Sequence, residues 1–329
     1  MTARYKRSLD EKYEDLLKST GKLNFLINGY ETWIPGDHNA FDIHLREKNK
    51  IMIYHGGTRL ITISMASDSV KLSADKAYSK VGASYNTLMR EWPINELVEK
   101  QNDYKKYLTE AVKIAHNRYY ASTKEGWWSN RLSLHFGKNW NLNKEWLIID
   151  REAVLGFDES NEKTKFYEIM KAKYGSIQLK FRKDDAKKWG KEDLIKSVGD
   201  ELDFLAIGPD KQLLCIELKY GSNTSGIYWG PLQVSVYKDA FHAVASSISD
   251  DIKHLVKQKI CLGLLPAEAT KWLPDGKFEE VNAIVAIAGF NNKSSSWQKM
   301  SEVQNELGAC KVSVAKVEDN GRDLMTIIS

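Results

Sequence analysis

Six prolines and three cysteines are all that 329 residues carry, and each scarcity excludes something. Cys215, Cys261 and Cys310 are odd in number and far apart, with no paired spacing, which excludes a zinc ribbon and a disulfide framework. Such cysteine usage suits a reducing compartment. Cys215 and Cys261 lie in apolar runs and read as small core residues. No run approaches the roughly eighteen apolar residues of a membrane span. The opening Met-Thr-Ala-Arg-Tyr-Lys-Arg-Ser lacks the apolar segment of a signal peptide. A soluble cytoplasmic protein without a membrane partner is the expectation. There is also no Gly-rich phosphate loop, no Gly-x-Ser-x-Gly and no His-Glu-x-x-His, which argues against several small-molecule enzymes. Charge of either sign is not in large excess: 48 Lys and Arg against 44 Asp and Glu leave +4. That balance allows a nucleic-acid partner and equally an ordinary enzyme.

What is present is a core. A 42% hydrophobic share and ten tryptophans suit a folded chain, long enough for one large domain or two ordinary ones. Residues 8–18 predict a short amphipathic helix. Residues 23–34, 41–45, 51–54 and 59–65 predict strands of an antiparallel meander, separated by turn chemistry at Pro35-Gly36-Asp37, Lys48-Asn49-Lys50 and His55-Gly56-Gly57. Asp42, His44 and His55 in this region read as turn and sheet-surface residues, not metal ligands. Residues 94–120 carry Leu97, Tyr104, Leu108, Val112 and Ala115 in a helical stripe. Trp127, Trp128, Phe136, Trp140 and Trp146 follow, interleaved with Arg131, His135, Lys138 and Lys144. Such a mixture can stack on bases, but core filling is the favoured reading. A boundary is placed near 137–145, giving an accessory domain over 1–145 and a second domain over 146–329.

The chain is organised around residues 199–220. Two apolar runs, 202–207 and 213–218, flank Gly208-Pro209-Asp210-Lys211, the signature of a β-hairpin. Side chains alternate along a strand, so Glu217 and Lys219 share a face while Leu218 points to the other. Pairing the strands brings Asp203 alongside Glu217. Two close carboxylates repel unless a cation neutralises them. Mg²⁺ suits that role because it takes oxygen ligands and keeps waters for a phosphate substrate.

Asp203, Glu217-Leu218-Lys219 and the downstream Gln233-Val234-Ser235-Val236-Tyr237 resemble the PD-(D/E)XK nuclease superfamily, in its RecB-like and mismatch-endonuclease-like branches with a Gln-x-x-x-Tyr helix. The likeness covers roughly residues 158–245, and Leu202 stands where the family name has proline. It implies a restriction-endonuclease-like mixed α/β sheet flanked by helices, preceded by a β-rich and helical N-terminal domain. It further implies Mg²⁺, with Mn²⁺ as substitute, on Asp203, Glu217 and the Leu218 carbonyl, and a water activated with the help of Lys219. Gln233 and Tyr237 would contact phosphate, base or Lys219. In the family an acidic residue of the preceding helix can reach the metal, here Glu162 or Glu168, with Glu192 as an outside candidate. Lys187, Lys188 and Lys191 could track a phosphate backbone. The resulting expectation is a metal-dependent DNA nuclease, in restriction, defence or repair by analogy, with a homodimer plausible for double-strand cutting. The same chemistry serves RNA. The competing expectation is a non-catalytic nucleic-acid-binding or assembly protein built on the nuclease fold.

Downstream, residues 221–226 predict a polar loop beside the site, and Pro231 falls in the first turn of a helix to about Ser246. Strands are expected at 177–181, 260–265, 281–289 and 311–317, and a strand pair at 146–149 and 153–157 around Asp150-Arg151-Glu152. Helices are expected at 160–174 and 295–307.

Overall fold

The computed structural model describes residues 3–190, 195, 201–319 and 324–329, apart from the side chain of Asp37. The chain is mixed α/β and divides into two compact units. One comprises Lys6–Lys144 and Lys253–Lys271; the other comprises Met1–Tyr5, Glu145–Ile252 and Trp272–Ser329.

In chain order, a two-residue strand β1 (Ala3–Arg4) precedes α1 (Glu11–Leu17), which buries Tyr13 and Leu17 one turn apart. The strand expected at 23–34 is absent. A 3-10 turn, Asn24–Leu26, and α2 (Tyr30–Trp33) stand there, separated by Gly29 at φ +85°. Phe25, Leu26 and Ile27 are buried in succession, which an alternating strand does not allow, and Leu23, Ile27, Tyr30 and Ile34 recur every three or four residues, as in a helix. The meander itself forms from β2 (Phe41–Arg46), β3 (Lys50–His55), β4 (Thr58–Met65) and β5 (Ser69–Ser73). After α3 (Ala83–Leu88), β6 (Glu91–Pro93) completes the antiparallel order β2-β3-β4-β5-β6. The long helix expected at 94–120 is broken at Lys100 into α4 (Ile94–Glu99) and α5 (Gln101–Tyr119). Tyr104, Leu108, Val112 and Ala115 of α5 are buried, and the Tyr107 hydroxyl donates to the Leu60 carbonyl of β4 at 2.9 Å. α6 (Glu125–Ser133) begins in the aromatic stretch. Trp128, Phe136, Trp140 and Trp146 are all buried, as a core-filling role requires.

The second unit holds β1 and continues with β7 (Leu147–Ala153) and β8 (Gly156–Phe157), the latter antiparallel to β1. The strand pair expected around Asp150-Arg151-Glu152 is thus one continuous strand with a register shift between Ile148 and Asp150. Asp150 does not turn the chain, because its buried carboxylate accepts from the Tyr5 hydroxyl at 2.7 Å and from the Arg151 N–H at 2.9 Å. α7 (Ser160–Asp184) runs through the strand expected at 177–181. Tyr174 and Gln178 are buried while Ser176 between them and Lys180 beyond are exposed, a four-residue repeat that suits a helix and not an alternating strand. α8 (Ala186–Trp189) follows.

β9 (Leu202–Ile207) and β10 (Leu213–Tyr220) form the expected hairpin. α9 (Thr224–Cys261) is 38 residues long, and its last residues belong to the other unit. It replaces the strand expected at 260–265. Gly263, at φ +70°, ends it with the Gly263 N–H on the Ile260 carbonyl and the Leu264 N–H on the Lys259 carbonyl. Cys261 is accordingly exposed rather than in the core, whereas Cys215 is buried. β11 (Val281–Ala288), α10 (Ser295–Leu307), β12 (Ser313–Val317) and β13 (Met325–Ile327) complete the unit. The sheet order is β13-β12-β11-β10-β9-β7, with β10, β11 and β12 mutually parallel and the other pairs antiparallel. β11 is buried along nearly its whole length, as an inner parallel strand covered on both faces must be.

Candidate active site

The register pairs Phe204 with Ile216, so the next residues outward, Asp203 and Glu217, stand at one level. The Leu218 N–H donates to Asp203 Oδ2 at 2.8 Å, which pins that carboxylate against β10. Glu217 and Lys219, two residues apart, share a face of β10, and Lys219 Nζ donates to Glu217 Oε1 at 2.7 Å. Both are buried, at 3% and 8% exposure, while Asp203 is half-buried. A carboxylate pair in so little water is costly without compensating charge. Burial pushes the Asp203 carboxyl above its ordinary range; the Lys219 ammonium, the Leu218 N–H and the Arg151 guanidinium oppose that shift, and the Glu152 carboxylate reinforces it.

Arg151 and Glu152 were not singled out by the sequence, where three adjacent charges look like a turn. β7 brings them in because Arg151 pairs with Phe204, next to Asp203. Glu152 holds φ at +51°, a left-handed conformation that is uncommon for a residue with a side chain. Glu168 is exposed on α7, and Glu162 lies half-buried in that helix's first turn.

At the far end of β10, Gly221 donates its N–H to the Ala288 carbonyl at 2.8 Å. A Cβ on Gly221 would lie 2.5 Å from the Gly289 carbonyl oxygen, so the parallel strands β10 and β11 close tightly just beyond Lys219. The polar loop expected at 221–226 is shorter than its sequence suggests. Asn223 Oδ1 accepts the Gly226 N–H at 3.0 Å, and α9 is under way by Thr224. Pro231 therefore lies within α9 rather than in its first turn.

Gln233 and Tyr237 are one turn apart on α9 but differ in environment. Gln233 is half-buried, and its amide makes no hydrogen bond among the described residues. Tyr237 is 1% exposed and donates to the Glu201 carbonyl at 2.8 Å, at the entry to β9.

The lysine-rich segment is divided. Lys187 is exposed; Lys188 is paired with Glu302 of α10 at 2.5 Å, just as Lys180 is paired with Glu306 at 2.6 Å. Lys188 thus ties α8 to α10. Lys191 and Glu192 lie outside the described residues.

In the N-terminal unit, Asp42, His44 and His55 are buried, not on the sheet surface. Asp42 accepts from Ser133 Oγ at 2.8 Å and stands 2.9 Å from His44 Nε2. Ser133 bonds the carboxylate rather than the imidazole, so this is not a nucleophile–base arrangement. Among the described residues no group of three or more His, Cys, Asp or Glu is arranged to hold a metal ion, and no helix is long and apolar enough to cross a membrane.

No protein-family model matches the chain, and no curated protein and no solved structure matches it.

Proposed function

We propose that the second unit is a metal-dependent phosphodiesterase, and more particularly a DNA nuclease of the PD-(D/E)XK type with a restriction-endonuclease-like core. One observation carries the reading: the 2.8 Å bond from the Leu218 N–H to Asp203 holds that carboxylate beside Glu217, with Lys219 on Glu217 at 2.7 Å. The antiparallel β7-β9-β10 order followed by α9 and parallel β11 agrees with such a core.

The donor set fits a hard divalent cation. Asp203, Glu217 and the Leu218 carbonyl offer oxygen only, and a cation such as Mg²⁺ completes so sparse a set with water. When bound, Mg²⁺ supplies positive charge to the phosphate and eases loss of a proton from water. The chain's own residues do the rest. Asp203 and Glu217 fix the cation's place because one is pinned by a backbone N–H and the other is buried. Lys219, on Glu217's face, donates toward the attacking water or a phosphate oxygen as negative charge develops there. Gln233 presents its amide to the substrate, and Tyr237 holds the chain entering β9.

The N-terminal unit is proposed as an accessory module for recognition, dimerisation or sensing, in a restriction, defence or repair setting. The reading is tested by incubating plasmid and single-stranded DNA with the full chain, in Mg²⁺ or Mn²⁺ and in EDTA, beside Lys219→Ala. Metal-dependent cutting that the variant loses is the expected result. Absence of cutting under every condition would favour a protein that binds nucleic acid without cleaving it.

A further inference from the structure

A second cleft lies on the same sheet, at the hairpin-turn end. Its floor comes from the opening residues of the parallel strands, including Leu214 and Ser313, and its volume is about 320 Å³, within the range of small-ligand sites. Leu214 is three residues from Glu217, about 10 Å along the strand, and alternation sends the two side chains to opposite faces. The cleft is therefore separate from the carboxylate site.

Its chemistry is one-sided. Lys238 of α9 and Lys311 are among the lining residues, and among the described residues no carboxylate is. Lys238 is half-buried and makes no ion pair or hydrogen bond among the described residues. Lys311 donates one N–H to Asn305 Oδ1 at 3.1 Å, and an ammonium has three. Gln212 also lines the cleft. Its amide is packed on Gly208, where a Cβ would come within 2.5 Å of Gln212 Nε2. Trp146 adds an aromatic wall.

We propose that this cleft binds a phosphate-bearing ligand of mononucleotide size, with phosphate on Lys238 and Lys311 and the base or sugar against Trp146 and the Gln212 side chain. The site does not depend on the nuclease reading. Two ammonium groups act as point charges for phosphate, and the mixed apolar and amide wall suits a heterocycle better than a second anion.

Isothermal titration of ADP and of pyrophosphate into the full chain, in EDTA, tests this directly. ADP is expected to bind, and to bind at least about tenfold more weakly to Lys238→Ala and Lys311→Ala. Lys238→Arg should retain binding, which separates lost charge from lost folding, and Asp203→Asn should be unaffected. No binding of either probe at millimolar concentration overturns the site, as does equal affinity in wild type and Lys238→Ala. Pyrophosphate binding as tightly as ADP overturns the nucleotide assignment by removing Gln212 and Trp146 from recognition.

Discussion

The Tyr237 hydroxyl donates to the carbonyl of Glu201 at 2.8 Å, two residues before Asp203. A side chain thirty-six residues downstream thus anchors the start of the strand that carries the first carboxylate. Tyr237→Phe should cost about 1 kcal/mol of stability, the usual worth of a net hydrogen bond. It should also lower turnover without changing the metal requirement. Denaturant melts and Mg²⁺ titrations of cleavage check both; unchanged stability would show the bond to be idle.

Charge-removing but shape-keeping changes at the centre should separate chemistry from folding. Asp203→Asn, Glu217→Gln and Lys219→Met are each expected to reduce cleavage by about 10²-fold or more, as losing a group that stabilises developing charge does. EDTA should do the same to wild type. Glu217→Ala and Lys219→Met each remove one member of the buried 2.7 Å pair, and breaking such a pair costs about 3–5 kcal/mol. Circular dichroism beside the nuclease assay distinguishes the two cases.

His55 makes the N-terminal unit sensitive to acid. Its Nδ1 stands 3.3 Å from the Ala40 carbonyl, which can only accept, so Nδ1 carries the proton and Nε2 accepts from His116 Nδ1 at 3.1 Å. Burial pushes its pKa down from 6.5 to about 4; the Ala40 carbonyl opposes that shift, while His116 and His38 add to it. The folded pKa is therefore below the unfolded one, and the neutral ring is favoured by folding. Its stabilisation is full above pH 6.5 and is lost as pH falls toward 4, by roughly 3 kcal/mol in all. Urea unfolding at neutral pH and near pH 4.5 should show a smaller loss in His55→Gln than in wild type.

Two helix glycines should respond oppositely to alanine. At Gly175 of α7 a Cβ meets nothing closer among the described residues than Ile195 Cγ2 at 3.8 Å, so Gly175→Ala should stabilise by about 1 kcal/mol through helix propensity. At Gly230 of α9 the Cβ would stand 3.1 Å from Val285 Cγ1, on a fully buried residue of β11. Overpacking there should outweigh the propensity gain and lower the melting temperature. A rise in both variants would mean that α9 can shift away from the sheet.

Local chemistry determined much of this molecule. The hairpin follows from two apolar runs about a Gly-Pro-Asp turn, and strand alternation alone sets Glu217 and Lys219 on one face. β2 to β4 and α10 are likewise legible in spacing and turn residues. Where apolar residues fit both periods, tertiary packing decided: 23–34, 177–181 and 260–265 became helix or helix end because their burial repeats every three or four residues or because Gly263 closes a helix. The surroundings of Asp203 were beyond the sequence. Arg151 and Glu152 lie some fifty residues upstream and reach it only through the pairing of β7 with β9. Lys253–Lys271 likewise belongs to the first unit, where Gln258 Oε1 accepts the Leu9 N–H at 2.6 Å from 249 residues away. Contacts between distant segments depend on which buried surfaces fit, and one-dimensional spacing carries no record of that.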